Sequence, residues 1–128
     1  MNDNALLQDF ATRYATAWCS QDPEKVAAFY AKGGSISVNG GPPTPIVDAA
    51  RGFMCDFLDM TVTFDKLESR GDRTAFHWTL SGTHTVTGEH LRISGYELWK
   101  IDNAGLIAES SGHFDAVDYQ RQLKLSEL

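Results

Sequence analysis

The sequence predicts an α+β fold: a curved antiparallel sheet forming a half-open cone, roofed by N-terminal helices. Three observations predict it. Apolar residues recur at helical spacing in the first half of the chain, then alternate with period two from about residue 60 onward. Short turns separate the alternating runs, so neighbouring strands are antiparallel. Helices followed by a run of strands pack as helices on one face of a sheet.

The elements follow in order. Residues 3–20 carry Leu6, Leu7, Phe10, Ala11, Tyr14, Ala17 and Trp18 at i, i+3 and i+4 spacings, an amphipathic helix with Asp3 or Asn4 as cap. Asp22-Pro23 starts a second, short helix over 23–31, since Asp caps and Pro at the first helical position gives up no needed N–H. Gly33-Gly34 ends it. SISVN (35–39) reads as a short strand, GGPPTP (40–45) as a rigid loop, and Asp48 to Leu58 as a third helix. Strands are predicted over 60–69, 73–86, 90–101 and 106–115, with turns at Gly71-Asp72, Thr87-Gly88-Glu89 and Asp102-Asn103-Ala104-Gly105. Gly82, Gly95 and Gly112 fall inside these strands and mark the bends that roll the sheet. The tail from Ala116 reads as helical.

Bulk properties bound the function. A chain of 128 residues with 42% hydrophobic and 22% charged residues suits one domain, 1–128, with a real core. The net charge is -6 and the 11 basic residues are scattered, so neither nucleic acid nor an anionic membrane is an expected partner. The opening MNDNALLQDF lacks the basic and apolar regions of a secretion signal, and a cytoplasmic protein is expected. Cys19 and Cys55 make neither a disulfide framework nor a metal-type spacing. No HExxH, phosphate-binding glycine loop or GxSxG elbow occurs. No metal or cofactor is expected.

The last hairpin carries the chemistry. If residues 102–105 form a four-residue loop, Asp115 faces Arg92, His113 faces Ser94, and Ser111 faces Tyr96. That face is polar; the other carries Leu91, Ile93, Trp99, Ile101, Leu106, Ala108 and Phe114. One reading leaves the polar face in water. The other makes it the floor of a cavity under the helices, with the apolar face buried against a second copy of the chain in a homodimer. On the cavity reading Asp115 is the acid/base, His113 steers the proton, and His77 is a second donor. Tyr14, Trp18 and Tyr30 then form walls for a small hydrophobic ligand, with Arg92, Tyr96 and Ser111 also touching it. A histidine between Phe76 and Trp78, as His77 is, is more often a hydrogen-bonded core residue than a catalyst.

Two stretches carry a family resemblance: FATRYATAWCSQDPEKVAAFYAKGG (10–34) and ISGYELWKIDNAGLIAESSGHFDAVDYQRQL (93–123). With the element order, they resemble the nuclear transport factor 2-like superfamily, in its SnoaL-like polyketide cyclase branch. The resemblance implies the cone fold and a small-molecule pocket. It puts Asp115 at the position of the cyclases' acid/base carboxylate. Epoxide hydrolases of this fold also need an Arg and a second Asp on the long middle strand, and Thr74–Val86 contains no acid. Ketosteroid isomerases need an Asp after the first strand, where this chain has Asn39-Gly40-Gly41-Pro42; Tyr14 loosely matches their helix tyrosine.

Three classes follow: an enzyme of cyclase or isomerase type acting on a hydrophobic carbonyl compound, a non-catalytic ligand binder, and a dimerisation module.

Overall fold

The computed structural model describes residues 3–125. The side chain of Asp3, offered above as a helix cap, and the end of the tail, 126–128, lie outside the described residues. Four helices and six strands follow one another: α1 (Asp3–Trp18), α2 (Pro23–Ala27), β1 (Tyr30–Val38), β2 (Thr44–Pro45), α3 (Ile46–Asp56), β3 (Thr61–Arg70), β4 (Arg73–Thr83), β5 (His90–Ile101), β6 (Ile107–His113) and α4 (Ala116–Leu123). The strands form one sheet in the order β2-β1-β6-β5-β4-β3, which is not closed into a barrel. The fold is α+β, as the periodicity predicts.

From β3 to β6 the chain is an antiparallel meander. β1 departs from it and joins the far side of β6 in parallel. Parallel strands need a crossover rather than a tight turn, and the intervening α3 and meander provide it.

The start of α2 is built as the sequence predicts: Asp22 Oδ1 accepts from Glu24 N at 3.1 Å and Pro23 takes the first helical position. Its end is not. The helix stops at Ala27 and β1 begins at Tyr30, before the glycine pair. Gly33, at φ 77, lies in the register shift between Tyr30 and Ser35. The pair therefore makes a bulge within a strand, which lets Tyr30 turn its side chain into the core.

The final hairpin is displaced from its expected register. Asp102 Oδ1 accepts from Ala104 N (2.9 Å) and Leu106 N (3.0 Å), drawing Leu106 into the loop. Tyr96 consequently pairs with His113 and Leu98 with Ser111, two residues from the expected partners. Because strand side chains alternate with period two, this two-residue displacement changes the neighbours from Tyr96 to Lys100 but keeps their side chains on the predicted faces; at the register shift beyond Lys100, Ile101 pairs with Ile107, one residue from its expected partner Leu106.

Which face the helices cover is the larger correction. Leu91, Ile93 and Trp99 are buried on the side where α1 packs. The core there is aromatic: Phe76 stacks on Trp99 at 4.9 Å, and Tyr14 meets Trp99 edge-on at 5.1 Å. The apolar face expected to meet a second copy is thus the face under the helices, and the polar face is the outer one. Burying a large apolar side chain stabilises by about 1.5–3 kcal/mol, so the chain's own helices claim the apolar face first.

Candidate functional site

Among the described residues, the inner face of the sheet carries one buried acid. On β5 the inward series runs Leu91, Ile93, Gly95, Glu97, Trp99, and Glu97 is only 6% exposed. A buried carboxyl group needs partners, and four donors converge on one of its oxygens. Ser110 Oγ lies 2.8 Å from Oε1, Tyr14 Oη 2.9 Å, Trp99 Nε1 3.0 Å and Tyr30 Oη 3.4 Å. Tyr14 and Tyr30 also bond each other at 2.8 Å. These donors come from α1, β1, β5 and β6, so Glu97 ties the roof to the sheet. None of these four bonds goes to Oε2.

Glu97 sits in the wall of a small apolar cleft with a cavity volume of about 60 Å³. Trp18 and Phe53 line it from the helices, and Ile36 and Val38 from β1. Val62, Trp78 and Leu80 complete the side formed by β3 and β4, while Leu91 and Ile93 extend the β5 wall. Gly112 opens the floor beside Glu97: a methyl group there would meet Ile36 at 3.6 Å and the Glu97 side chain at 3.9 Å. Phe114 and Tyr119 stand at the α4 side. Burial, followed by the charge of Asp56, pushes the Tyr119 hydroxyl up to about 12, so it stays a neutral donor.

The electrostatics of Glu97 follow from its surroundings. Burial raises its pKa above the ordinary value of 4.5, and the bonds from Ser110, Trp99, Tyr14 and Tyr30 only partly offset this. Tyr14 and Tyr30 are both held well above the usual tyrosine range, by burial first and by Glu97 next. When Glu97 is neutral, Oε1 is the carbonyl oxygen that accepts the donors, and the proton belongs on Oε2.

Trp18 lines the cleft at 6% exposure, but its ring nitrogen is itself buried. It lies beside the Tyr14 hydroxyl and favours that group's ionised form.

The predicted site residues divide by face. Trp18 lines the cleft, whereas Tyr14 and Tyr30, expected as its walls, do not; they lie behind it and bond Glu97 through their hydroxyls. Asp115, His113, His77, Arg92, Tyr96 and Ser111 do not line it. Asp115 is exposed, and its Oδ1 accepts from Asp118 N at 3.0 Å, which makes it the N-cap of α4. The inward orientation expected of this carboxylate is therefore overturned by α4, whose free N–H groups it satisfies. His113 bonds Ser111 Oγ at 2.8 Å and stacks on Tyr96 at 4.9 Å, while His77 bonds Glu68 at 3.0 Å, all on the outer face. Arg92 is exposed, and Gln122 on α4 bonds its backbone N–H and carbonyl.

Sequence reasoning missed Glu97. Its signal is a lone acid at inward parity between Ile93 and Trp99, inside an otherwise apolar series. Among the described residues no group of three His, Cys, Asp or Glu is placed to hold a metal ion, and no helix is long and apolar enough to cross a membrane.

Comparison with known proteins places this geometry in a family. The SnoaL-like domain profile matches residues 11–110. No curated protein matches the sequence. Among solved structures, TsrD from Streptomyces laurentii superposes with a TM-score of 0.80 at 20% identity, covering 96% of this chain and 98% of that one. A protein of ketosteroid isomerase-like fold from Catenulispora acidiphila, solved with trimethylamine, gives a TM-score of 0.79 at 15% identity over 91% and 92% of the two chains. IdmH from Streptomyces antibioticus, a candidate polyketide cyclase, gives 0.74 at 22% identity over 91% and 97%. At these identities the likeness is one of fold.

Proposed function

Because the chain belongs to the SnoaL-like domain family, we propose that its cleft binds a small hydrophobic carbonyl compound and that Glu97 exchanges a proton with it, in chemistry of cyclase or isomerase type. The observation that carries this reading is the placement of Glu97, a buried acid whose Oε1 is saturated with donors in the wall of an apolar cleft.

The chemistry follows from that placement. Burial makes the ionised carboxylate a stronger base than an exposed one, with a pKa moved toward neutrality. Oε2 takes a proton from the carbon beside the ligand's carbonyl, and the resulting carboxylic acid returns it to the product. The donors on Oε1 stabilise the ionised form before the transfer and accommodate the neutral acid after it. The apolar walls exclude water from the enolate formed between the two steps.

The test needs no knowledge of the natural substrate. 2-Tetralone, a flat bicyclic ketone, exchanges its α-protons for deuterium in heavy water, and proton NMR follows the exchange. The protein is expected to accelerate this exchange, and Glu97→Gln to lower the acceleration by about 10²–10⁴-fold while the ketone still binds. Exchange that survives in Glu97→Gln contradicts the role of Glu97. Binding without accelerated exchange by the unmodified protein assigns the cleft to ligand binding alone.

A further inference from the structure

Gly112 stands inside β6, paired with Glu97 on one side and with Val38 on the other. A glycine inside a strand weakens it, because glycine loses more freedom on folding than any other residue and packs no side chain. Backbone shape does not call for one here, since the backbone at Gly112 is not left-handed. Close packing does not call for one either. A methyl group at Gly112 would make ordinary van der Waals contacts, 3.6 Å to Ile36, 3.8 Å to the Ser37 carbonyl oxygen and 3.9 Å to Glu97 Cγ. Gly95 is the contrast, where the same methyl would lie 2.4 Å from a backbone oxygen. What the missing side chain leaves at Gly112 is space, beside Glu97 and in the lining of the cleft.

We propose that Gly112 is a specificity-determining residue of the cleft: its bare backbone leaves the notch in which the carbon beside the ligand's carbonyl reaches Glu97. This rests on the reading of the cleft as a ligand site and adds the shape of what it takes. The notch is floored by the Gly112 backbone and bounded by the side chains of Glu97 and Ile36. In a cavity of about 60 Å³, one side chain decides what enters. A flat fused ring can lay its edge over a bare backbone and bring that carbon to Glu97, whereas a bulky, branched skeleton cannot. The class of ligand is thus a flat cyclic ketone. One methylene in a hydrophobic pocket discriminates between ligands by about 10–200-fold, so a methyl group at Gly112 acts on ligand choice more than on folding.

Deuterium exchange at the α-carbon tests this with two ketones, 2-tetralone and acetone, the second small enough to reach Glu97 past an added methyl group. Gly112→Ala is expected to lower the second-order exchange rate of 2-tetralone about tenfold more than that of acetone, and Gly112→Val to widen the gap. The urea midpoint of Gly112→Ala is expected to stay level or rise, since alanine has less backbone freedom to lose. A midpoint that falls shows that the glycine serves the bend of β6 and overturns the proposal. An unchanged ratio between the two ketones overturns it as well. In both cases accelerated exchange by the unmodified protein leaves the cleft reading standing. If the unmodified protein binds 2-tetralone without accelerating exchange, proton transfer by Glu97 fails, and the dissociation constant decides the role of Gly112: about tenfold weaker in Gly112→Ala supports it, and an unchanged value overturns it. If neither ketone binds, both readings fail together.

Discussion

Glu97→Leu is expected to destabilise the protein by on the order of 3–5 kcal/mol, whereas Glu97→Gln keeps it folded. The two side chains are close in size, so packing does not explain the difference. Leu removes the acceptor that Tyr14, Trp99 and Ser110 share. The tyrosine pair still satisfies one hydroxyl, because Tyr14 and Tyr30 bond each other, but the indole and the serine are left buried and unmet. Gln keeps a carbonyl oxygen where Oε1 stands and carries no charge. A sign follows for pH. The folded-state pKa of Glu97 lies above the ordinary 4.5, so as pH rises through the window between those two values the folded protein still holds a proton that the unfolded chain has released. Stability from this group is greatest below 4.5 and is lost as pH rises toward the folded value. Gln does not titrate, so the stability difference, Glu97→Gln minus unmodified, is expected to grow with pH across that window. Asp59 and Glu68, which are exposed, and Asp118, which is half-buried, are acids with lowered pKa values, so the stability they contribute is lost in the opposite direction, as pH falls. They are the same in both proteins and cancel. Urea unfolding at a series of pH values measures all of this. Equal loss in Leu and Gln, or a difference that shrinks with rising pH, contradicts the assignment.

Gly95→Ala is expected to cost about 3 kcal/mol or more, above most single-methyl additions to a core. A methyl group at Gly95 would lie 2.4 Å from the His113 carbonyl oxygen and 2.6 Å from the Trp78 indole. The first is backbone of the neighbouring strand and cannot rotate aside. The second lines the cleft, so relief on that side would push Trp78 into the space a ligand needs. The variant is therefore expected both to lower the urea midpoint and to weaken 2-tetralone binding. A variant with unchanged stability would show that β5 and β6 separate freely at this point, against the observed approach.

Much of the fold was legible because period is a local property. The alternation from β3 to β6, the Asp22-Pro23 helix start and the apolar stripe of α1 are all set by side chains within a few residues of one another. The features that escaped depend on distant partners. Gly33-Gly34 stops a helix or bulges a strand according to whether β6 lies alongside to pair with β1, and locally the two look alike. The hairpin register turned on Asp102, whose side chain closes the loop around Leu106. The orientation of the sheet decided the site. His113 and Asp115 draw the eye as a histidine and a carboxylate at period two, yet polarity at that spacing also describes a wetted face. Glu97 has the opposite signature: alone among apolar neighbours, it had to be either buried with partners or absent. Tyr14 and Tyr30 are visible as aromatic positions, but that their hydroxyls meet over one carboxyl group depends on α1 crossing β5, which no local pattern contains.

The central claim, that Glu97 holds its proton above the ordinary glutamate range and faces the ligand, is tested most directly by a carbon-13 titration of its carboxyl group, identified by its loss in Glu97→Gln. The account predicts a midpoint above 4.5 in the free protein, and a midpoint that moves when 2-tetralone is bound. A carboxyl signal that titrates at or below 4.5 and ignores the ketone would contradict it.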